Sequence, residues 1–192
     1  MITPLAEKYN TEAVPEMMKK FGYSNKMAVP KIEKVIVNTG FGREVASKTS
    51  EEQKKFIDFI LQELGLICGL RAVKTLAKKS IASFKIRQGM PIGAKVTLRG
   101  KKMTDFLERL IHLALPRTRD FKGIDQKSLD KNGNLTLAIK EHIAFPEILP
   151  EKAKNIFGLE ITIVTTTKSR EEALELFKLL GFPIHHGDEG AN

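Results

Sequence analysis

Residues 92–99 read IGAKVTLR, and this stretch decides which fold the sequence predicts. Its side chains alternate between apolar residues on one side and small, polar or cationic residues on the other. The first set is Ile92, Ala94, Val96 and Leu98, and the second is Gly93, Lys95, Thr97 and Arg99. A period of two residues is typical of a β-strand that is buried on one face only. The strand therefore predicts a sheet with one face on a core and the other face open.

The surrounding segments predict further strands and four helical regions. One strand runs from residue 32 into the glycine-rich turn NTGFG, and others cover residues 70–76, 83–87, 134–140 and 159–167. One or two short helices end near Phe21; a second region begins after Ser47 with Thr49 and Glu52 as a capping box and ends before Gly65. A third runs from Met103 to Pro116, and the last begins with a capping box of Ser169 and Glu172 and ends at Gly181.

This element order predicts one α+β domain at residues 1–183. Its sheet is antiparallel or mixed, helices pack on one face, and the other face stays open. Residues 117–133 are mostly polar and predict a long exposed loop, and residues 184–192 predict a flexible tail.

The excess positive charge is concentrated in one segment. Residues 64–104 hold ten lysines and arginines and no acid, whereas the whole chain has 32 basic and 23 acidic residues and a net charge of +9. A local block of cations indicates a polyanionic partner more specifically than a uniformly basic composition does. A solvated basic face that protects a sheet edge is the alternative.

The block divides into two kinds of candidate contact. Lys85 and Arg87 alternate with apolar neighbours, so we expect them on the open face with Lys95, Thr97 and Arg99, where phosphate would relieve the repulsion between like charges. Lys78, Lys79 and Ser80 have no strong period and predict the tip of an exposed loop. The turn at Asn38, Gly40 and Gly42 would let backbone amides approach a phosphate, or it is purely structural.

Catalytic and metal sites are not predicted. Val45 stands where a dinucleotide-binding fingerprint needs its third glycine, and no nucleophile elbow, P-loop or HExxH motif is present. The four histidines and the single cysteine, Cys68, show no ligand spacing, so neither a metal nor a cofactor is expected. No apolar run approaches the roughly 18 residues of a membrane span, and a reducing cytoplasm is the expected setting.

Several motifs closely resemble a known family. KKSIASFKIRQGMPIGAKVTLRGKKMTDFLERL begins at Lys78, followed by LPRTRDFKG, AFPEI and GLEITIVTTTKSREEALELFKLLGFP, while LAEKYN and VPKIEKVIVNTGFG precede it. In this order and spacing they resemble the bacterial family of large-subunit ribosomal protein number five over about residues 5–183. The segment LDKNGNL departs from the family pattern by lacking two aromatic residues and one glycine.

The resemblance implies a structural, non-enzymatic protein with an antiparallel sheet covered by helices on one face. It implies binding to 5S rRNA in the central protuberance and contacts with peptidyl-site tRNA, 23S rRNA, other large-subunit proteins and a small-subunit head protein. By position, Lys78, Lys79 and Ser80 match the loop on the tRNA side, while Asn38, Gly40 and Gly42 match a 5S contact. Lys85, Arg87, Lys95, Thr97 and Arg99 match the polar strand face, and Arg117 and Arg119 a segment that contacts RNA or protein.

Two other classes of protein remain open from the residues alone. A nucleotide-binding enzyme would use the NTGFG turn at residues 38–42. A basic module would instead dock on an acidic protein or a membrane surface, without a preference for structured RNA.

Overall fold

A five-stranded antiparallel sheet forms the centre of the fold. The computed structural model describes residues 4–119, 121–151, 153 and 155–185. The strands are β1 (Ile32–Gly40), β2 (Val73–Leu76), β3 (Pro91–Leu98), β4 (Ile124–Asp125), β5 (Leu135–Ile139), β6 (Leu159–Thr165) and β7 (Ile184–His185). The sheet order is β2-β3-β1-β6-β5, and β4 and β7 form a separate parallel pair. The predicted α+β class is confirmed.

The helices lie between these strands in the chain. They are α1 (Leu5–Lys8), α2 (Val14–Phe21), α3 (Gly42–Ala46), α4 (Ser50–Cys68), α5 (Gly100–Arg109), α6 (Leu115–Arg117) and α7 (Arg170–Leu179). Their apolar sides meet one face of the sheet, where Val35 and Val37 of β1 are fully buried. None of the helices within the described ranges is both long and apolar enough to span a bilayer.

Both helices for which the sequence predicts a capping box, α4 and α7, have side-chain capping bonds at their N-termini. The Thr49 backbone N–H donates to Glu52 Oε2 at 3.0 Å, which completes the capping box of α4. At α7 the Ser169 hydroxyl accepts from the Glu172 N–H, but the Glu172 carboxylate accepts from Thr167. Thr167 Oγ1 in turn accepts from the Ser169 N–H at 3.0 Å. The Thr167 hydroxyl therefore connects the Ser169 N–H to the Glu172 carboxylate, which bond directly in an ordinary capping box.

Two predicted helix ends are wrong. The helix expected to end before Gly65 continues to Cys68 and ends at Gly69, whose φ of 63° is the left-handed conformation that glycine adopts at helix ends. Pro116 does not stop its helix but lies inside α6. A proline ring clashes with the carbonyl four residues earlier, and a wider π-helical turn immediately precedes the short helix that contains Pro15 and the one that contains Pro116.

Three loop regions also differ from the expected pattern or refine it. Residues 83–87 do not form a strand; a 3₁₀ turn occupies Ala82–Phe84 and Lys85 is left-handed. The region 117–133 contains β4 and a 3₁₀ turn, and Ile124 and Leu129 are buried. In the predicted tail, Ile184 and His185 pair with β4, and residues 186–192 lie outside the described part.

A buried polar pair lies under the helices, away from the open face of the sheet. The His142 ring is fully buried and stacks on Phe157 with centroids 4.0 Å apart. Its Nδ1 accepts from the Phe157 backbone N–H at 3.3 Å, and its Nε2 lies 3.9 Å from Glu63 Oε2. Burial lowers the pKa of His142 and raises the pKa of the Glu63 carboxyl. Burial thus favours the neutral form of both groups.

We expect His142 to make the fold sensitive to mild acid. The unfolded chain binds a proton at this histidine near its ordinary pKa of about 6.5, while the folded chain resists it, so stability falls as pH drops below that value, by at most about 1.4 kcal/mol per pH unit. Urea unfolding of His142→Phe should show a shallower loss between pH 7 and 5. At pH 7 it should also be about 1–3 kcal/mol less stable, because the buried Phe157 N–H loses its acceptor. An unchanged pH slope would assign the acid sensitivity to another group.

Candidate nucleic-acid interface

The open face of the sheet carries two rows of mostly polar side chains that cross the strands. The strand register defines both rows, since directly paired residues in antiparallel strands share a face. One row is Val73, Lys95, Asn38, Glu160 and Ala138, and the other is Thr97, Ile36, Thr162 and Thr136. Hydroxyl and amide groups therefore lie in adjacent rows over four strands. We call this surface, together with Lys34 and Arg99, the open face.

Hydrogen bonds within the rows hold several of these groups in place. The Thr136 and Thr162 hydroxyls lie 3.2 Å apart across β5 and β6, and the Asn38 amide donates to Glu160 Oε2 at 3.3 Å. The Asn38 amide oxygen and the Lys95 ammonium are not involved in these bonds. A nucleic acid would find donors and acceptors at fixed spacing here.

The open face is less positive than the sequence predicts. Arg99 pairs with Glu33 at 3.1 Å, and Glu33 also lies 3.6 Å from the Lys34 ammonium. The hydrogen bond from Arg99 and the charge of Lys34 lower the pKa of the Glu33 carboxyl, so this acid is ionised at neutral pH. Lys95 has no acidic partner in the described ranges. Together with the Glu160 carboxylate, Glu33 offsets much of the cationic charge.

Lys85 and Arg87 belong to a separate structure. The prediction that they share a strand face with Lys95 is wrong, because residues 77–90 form a projecting loop closed at its base by the bonds Ala77 N–H to Met90 O and Gly89 N–H to Ala77 O, at 2.8 and 2.9 Å. We call residues 77–90 the basic finger. Its four cations are Lys78, Lys79, Lys85 and Arg87, all exposed, and it contains no acid.

The prediction that Lys78, Lys79 and Ser80 form a loop tip is wrong. They lie on this finger beside its base at Ala77, and its outer end is the turn at Ala82–Phe84. Both lysines are exposed and neither has an ion-pair partner among the described residues. The Ser80 hydroxyl accepts from the Gln88 backbone N–H at 2.9 Å, so it braces the two sides of the finger. Ser80 therefore has a structural role, whereas the two ammonium groups are available to a partner.

The start of α5 adds a cationic edge to the open face. Arg99 is its N-cap residue without a side-chain capping bond, and no acid occurs in the first turn, where α4 and α7 each have two. Lys102 donates to the Gly69 carbonyl at 2.7 Å and so neutralises the end of α4. Lys101 and Arg99 lie beside helix N–H groups that have no side-chain capping partner. Positive charge at the N-terminus of a helix is unfavourable, and a nearby anion would offset it.

The glycine turn is mostly part of the sheet rather than a loop between a strand and a helix. Asn38 and Gly40 belong to β1, opposite Lys95 and Gly93, and Gly42 begins the five-residue helix α3. Both neighbours of β1 are antiparallel, so the βαβ unit that a dinucleotide site requires is not present around this strand. The enzyme alternative therefore has no structural support at this turn. A Cβ at Gly40 would meet nothing within 4 Å, which leaves its backbone accessible.

Arg117 and Arg119 lie elsewhere, around a cleft of about 520 Å³. Lys140, Glu141 and Pro150 also line it, so three cations and one acid face the same space. Polar and charged groups of this kind suit either a phosphate or an acidic protein segment.

Sequence reasoning did not identify several members of the open face. Lys34 and Asn38 alternate with Val35 and Val37, so the period of two could have placed Lys34 there. Thr136, Glu160 and Thr162 come from strands far away in the chain, and only the register brings them beside Asn38. Across the described ranges, no cluster of three potential metal ligands was found.

Comparison with known proteins identifies two matching sequence patterns. The pattern described as ribosomal protein L5 matches residues 25–87, and the pattern described as the C-terminus of the ribosomal L5P family matches residues 91–184. The first pattern ends within the basic finger and the second begins at the start of β3, so the sheet contains strands from both.

Similar curated proteins extend over nearly the whole chain. The large ribosomal subunit protein uL5 of Halothermothrix orenii is 52% identical over 181 residues, which cover 94% of this chain and 98% of the relative. The protein of the same name from Geobacter sulfurreducens is 52% identical over 182 residues, covering 95% and 98%. That of Brevibacillus brevis is 49% identical over 184 residues, covering 96% and 99%.

The paired glycines at the edge of the open face allow a matched test of packing. A Cβ at Gly93 would lie 2.6 Å from Thr75 Oγ1 and 2.7 Å from the Thr39 carbonyl, whereas one at Gly40 meets nothing. We expect Gly93→Ala to lower the free energy of unfolding by about 2 kcal/mol, as overpacking against backbone does. Gly40→Ala should change it by less than about 1 kcal/mol. Equal losses in urea unfolding would show that the two backbones are not packed as described.

Proposed function

We propose, because the chain belongs to the ribosomal protein L5 family, that it binds 5S rRNA through the open face of its sheet. As a member of this family it is a structural protein of the large ribosomal subunit and not an enzyme. We propose further that it contacts peptidyl-site tRNA and a protein of the small-subunit head. The setting is the cytoplasmic ribosome.

The observation that carries the proposal is the mixed chemistry of the open face. Its two rows offer threonine hydroxyls, an asparagine amide and the Lys95 ammonium at fixed spacing, with Lys34 and Arg99 beside them. The minor groove of an A-form RNA helix is wide and shallow and displays 2′-hydroxyl groups between phosphates. Neutral hydrogen-bonding groups suit the 2′-hydroxyls, and the cations suit the phosphates. A purely electrostatic partner would not need the threonines.

We assign Lys78 and Lys79 of the basic finger to tRNA and the cleft at Arg117 and Arg119 to a third contact with RNA or protein. Two unpaired ammonium groups on a projecting loop can contact a phosphate backbone without reading sequence. These surfaces do not share residues with the open face, so each assignment is separately testable. We treat residues 1–183 as one binding domain.

The salt dependence of 5S rRNA binding tests the open face. We expect the double variant Lys34→Ala with Lys95→Ala to weaken binding and to reduce the slope of log K against log salt by about 0.7–0.9 for each phosphate that is no longer neutralised. The matched control is Lys127→Ala with Lys131→Ala, which removes the same charge from loops outside the open face. Filter binding at several salt concentrations measures both. Identical slopes for the two double variants would refute the assignment of the open face.

Lys78 and Lys79 should act on tRNA alone. We expect Lys78→Ala with Lys79→Ala to leave the affinity for 5S rRNA within about twofold while it weakens crosslinking of peptidyl-site tRNA in reconstituted ribosomes. The physical reason is that these lysines lie on the finger and not in the rows of the sheet. A parallel loss of affinity for 5S rRNA would show that the two surfaces form one binding site.

A further inference from the structure

Glu160 is an unexpected residue on a surface that is proposed to hold RNA. It lies on β6 in the first row of the open face, between Asn38 of β1 and Ala138 of β5, and it is exposed. Glu33 is paired with two cations, whereas Glu160 has no ion-pair partner among the described residues. An unpaired carboxylate repels every phosphate that approaches it. Its position therefore needs a reason other than the attraction of a polyanion.

A hydrogen bond fixes how Asn38 and Glu160 present their polar atoms. The Asn38 side-chain nitrogen donates to Glu160 Oε2 at 3.3 Å. Because a carboxylate only accepts hydrogen bonds, the amide nitrogen has to face Glu160 and the amide oxygen is turned away from it. The carboxylate has about four lone-pair sites, and this bond occupies one of them. The pair thus offers a partner an amide oxygen and most of a carboxylate as acceptors, against one remaining N–H.

The neighbouring residues leave this carboxylate accessible. Ala138, directly opposite on β5, ends at its Cβ and does not cover it. Thr162 follows two residues along β6 on the same face, about 7 Å away by the rise of a strand. Its hydroxyl lies 3.2 Å from the Thr136 hydroxyl across β5 and β6. A partner that lies along the rows therefore meets the Glu160 carboxylate beside a pair of hydroxyls.

Only some groups of a nucleic acid can bond to these acceptors. A phosphodiester oxygen accepts hydrogen bonds and is negatively charged, so it cannot bond to the carboxylate. The ribose 2′-hydroxyl is a donor as well as an acceptor, and it is displayed in the wide minor groove of an A-form helix. The 2-amino group of guanine is the other donor in a minor groove. DNA lacks the 2′-hydroxyl, so its backbone has no donor for this pair.

We infer that Glu160, held beside Asn38, accepts a hydrogen bond from a ribose 2′-hydroxyl and so makes the open face select RNA over DNA. The inference rests on the proposed function, which supplies the RNA. Glu160 is then a specificity-determining residue, because its charge weakens binding of all phosphates while its hydrogen bond restores affinity only to a partner with a suitable donor. Asn38 is a positioning residue for that carboxylate.

The preference for RNA over DNA gives the first test. Filter binding measures the affinities of the original chain and of Glu160→Gln for 5S rRNA and for DNA of the same sequence. We expect Glu160→Gln to bind DNA more tightly and to lose about 10-fold of the preference for RNA, as expected when a hydrogen bond to a charged group is lost. Glu33→Gln is the matched control. It removes the same charge from beside the same face, so it should change both affinities alike and keep the preference within about twofold.

Chemically substituted RNA locates the donor. The 5S rRNA is assembled from segments in which either the 2′-hydroxyls are replaced by hydrogen or guanosine is replaced by inosine, which lacks the 2-amino group. We expect one 2′-deoxy segment to weaken binding of the original chain about 10-fold and binding of Glu160→Ala by less than about twofold, since only groups in contact show such coupling. Circular dichroism checks that the variants are folded, which we expect for substitutions at an exposed residue.

Three results would overturn the inference. An unchanged preference for RNA in Glu160→Gln, or a 2′-deoxy penalty that persists in Glu160→Ala, removes the role of Glu160 while leaving binding of 5S rRNA through the open face intact. An inosine penalty that disappears in Glu160→Ala assigns the carboxylate to a base instead of a ribose. If the original chain does not bind 5S rRNA, the proposed function fails, and this inference fails with it.

Discussion

The whole structure depends on the pairing of β1 along both of its edges. This strand is hydrogen-bonded to β3 on one side and β6 on the other, and its alternation gives the sheet one buried and one open face. Asn38 lies between Lys95 and Glu160 only because of this register. A slip by one residue would turn Val37 outward and Asn38 into the core. The apolar core therefore specifies the arrangement of the polar rows, although no polar group of the rows contributes to that core.

The sequence predicted those parts of the fold in which one local rule applied over many residues. The alternation at 92–99 and the capping box at Thr49 agree with the structure because tertiary packing reinforces both. The strand expected at 83–87 rested on five residues, too few to separate a strand from a turn with alternating polarity. Its turn is closed by the bonds between Ile81 and Ile86 and requires a left-handed Lys85, a conformation that the identity of lysine does not suggest.

The positive charge of the candidate site was predictable from the sequence, but the acidic side chains that offset it were not. Every cation in the acid-free segment is visible in the sequence, but the acids that meet them come from elsewhere. Glu33 lies 66 residues from Arg99, and Glu160 lies 122 residues from Asn38. Only the register of distant strands brings these groups together. The open face consequently carries moderate charge and several side-chain hydrogen bonds, while the basic finger carries four cations without an acid.

The open face and the basic finger differ in how their polar groups are held before any partner binds. On the open face the groups are bonded to one another across strands, so little side-chain order has to be lost when a partner arrives. On the basic finger the costs are present before binding: an exposed phenylalanine, a left-handed lysine and four cations without acids. The finger departs from the usual burial of a phenylalanine ring and from the usual backbone conformation of a lysine. The start of α5 has no side-chain capping bond, whereas α4 and α7 are capped. In a folded protein such violations can persist where a ligand offsets them, which supports the proposed RNA contact at the finger and suggests a further one at the start of α5.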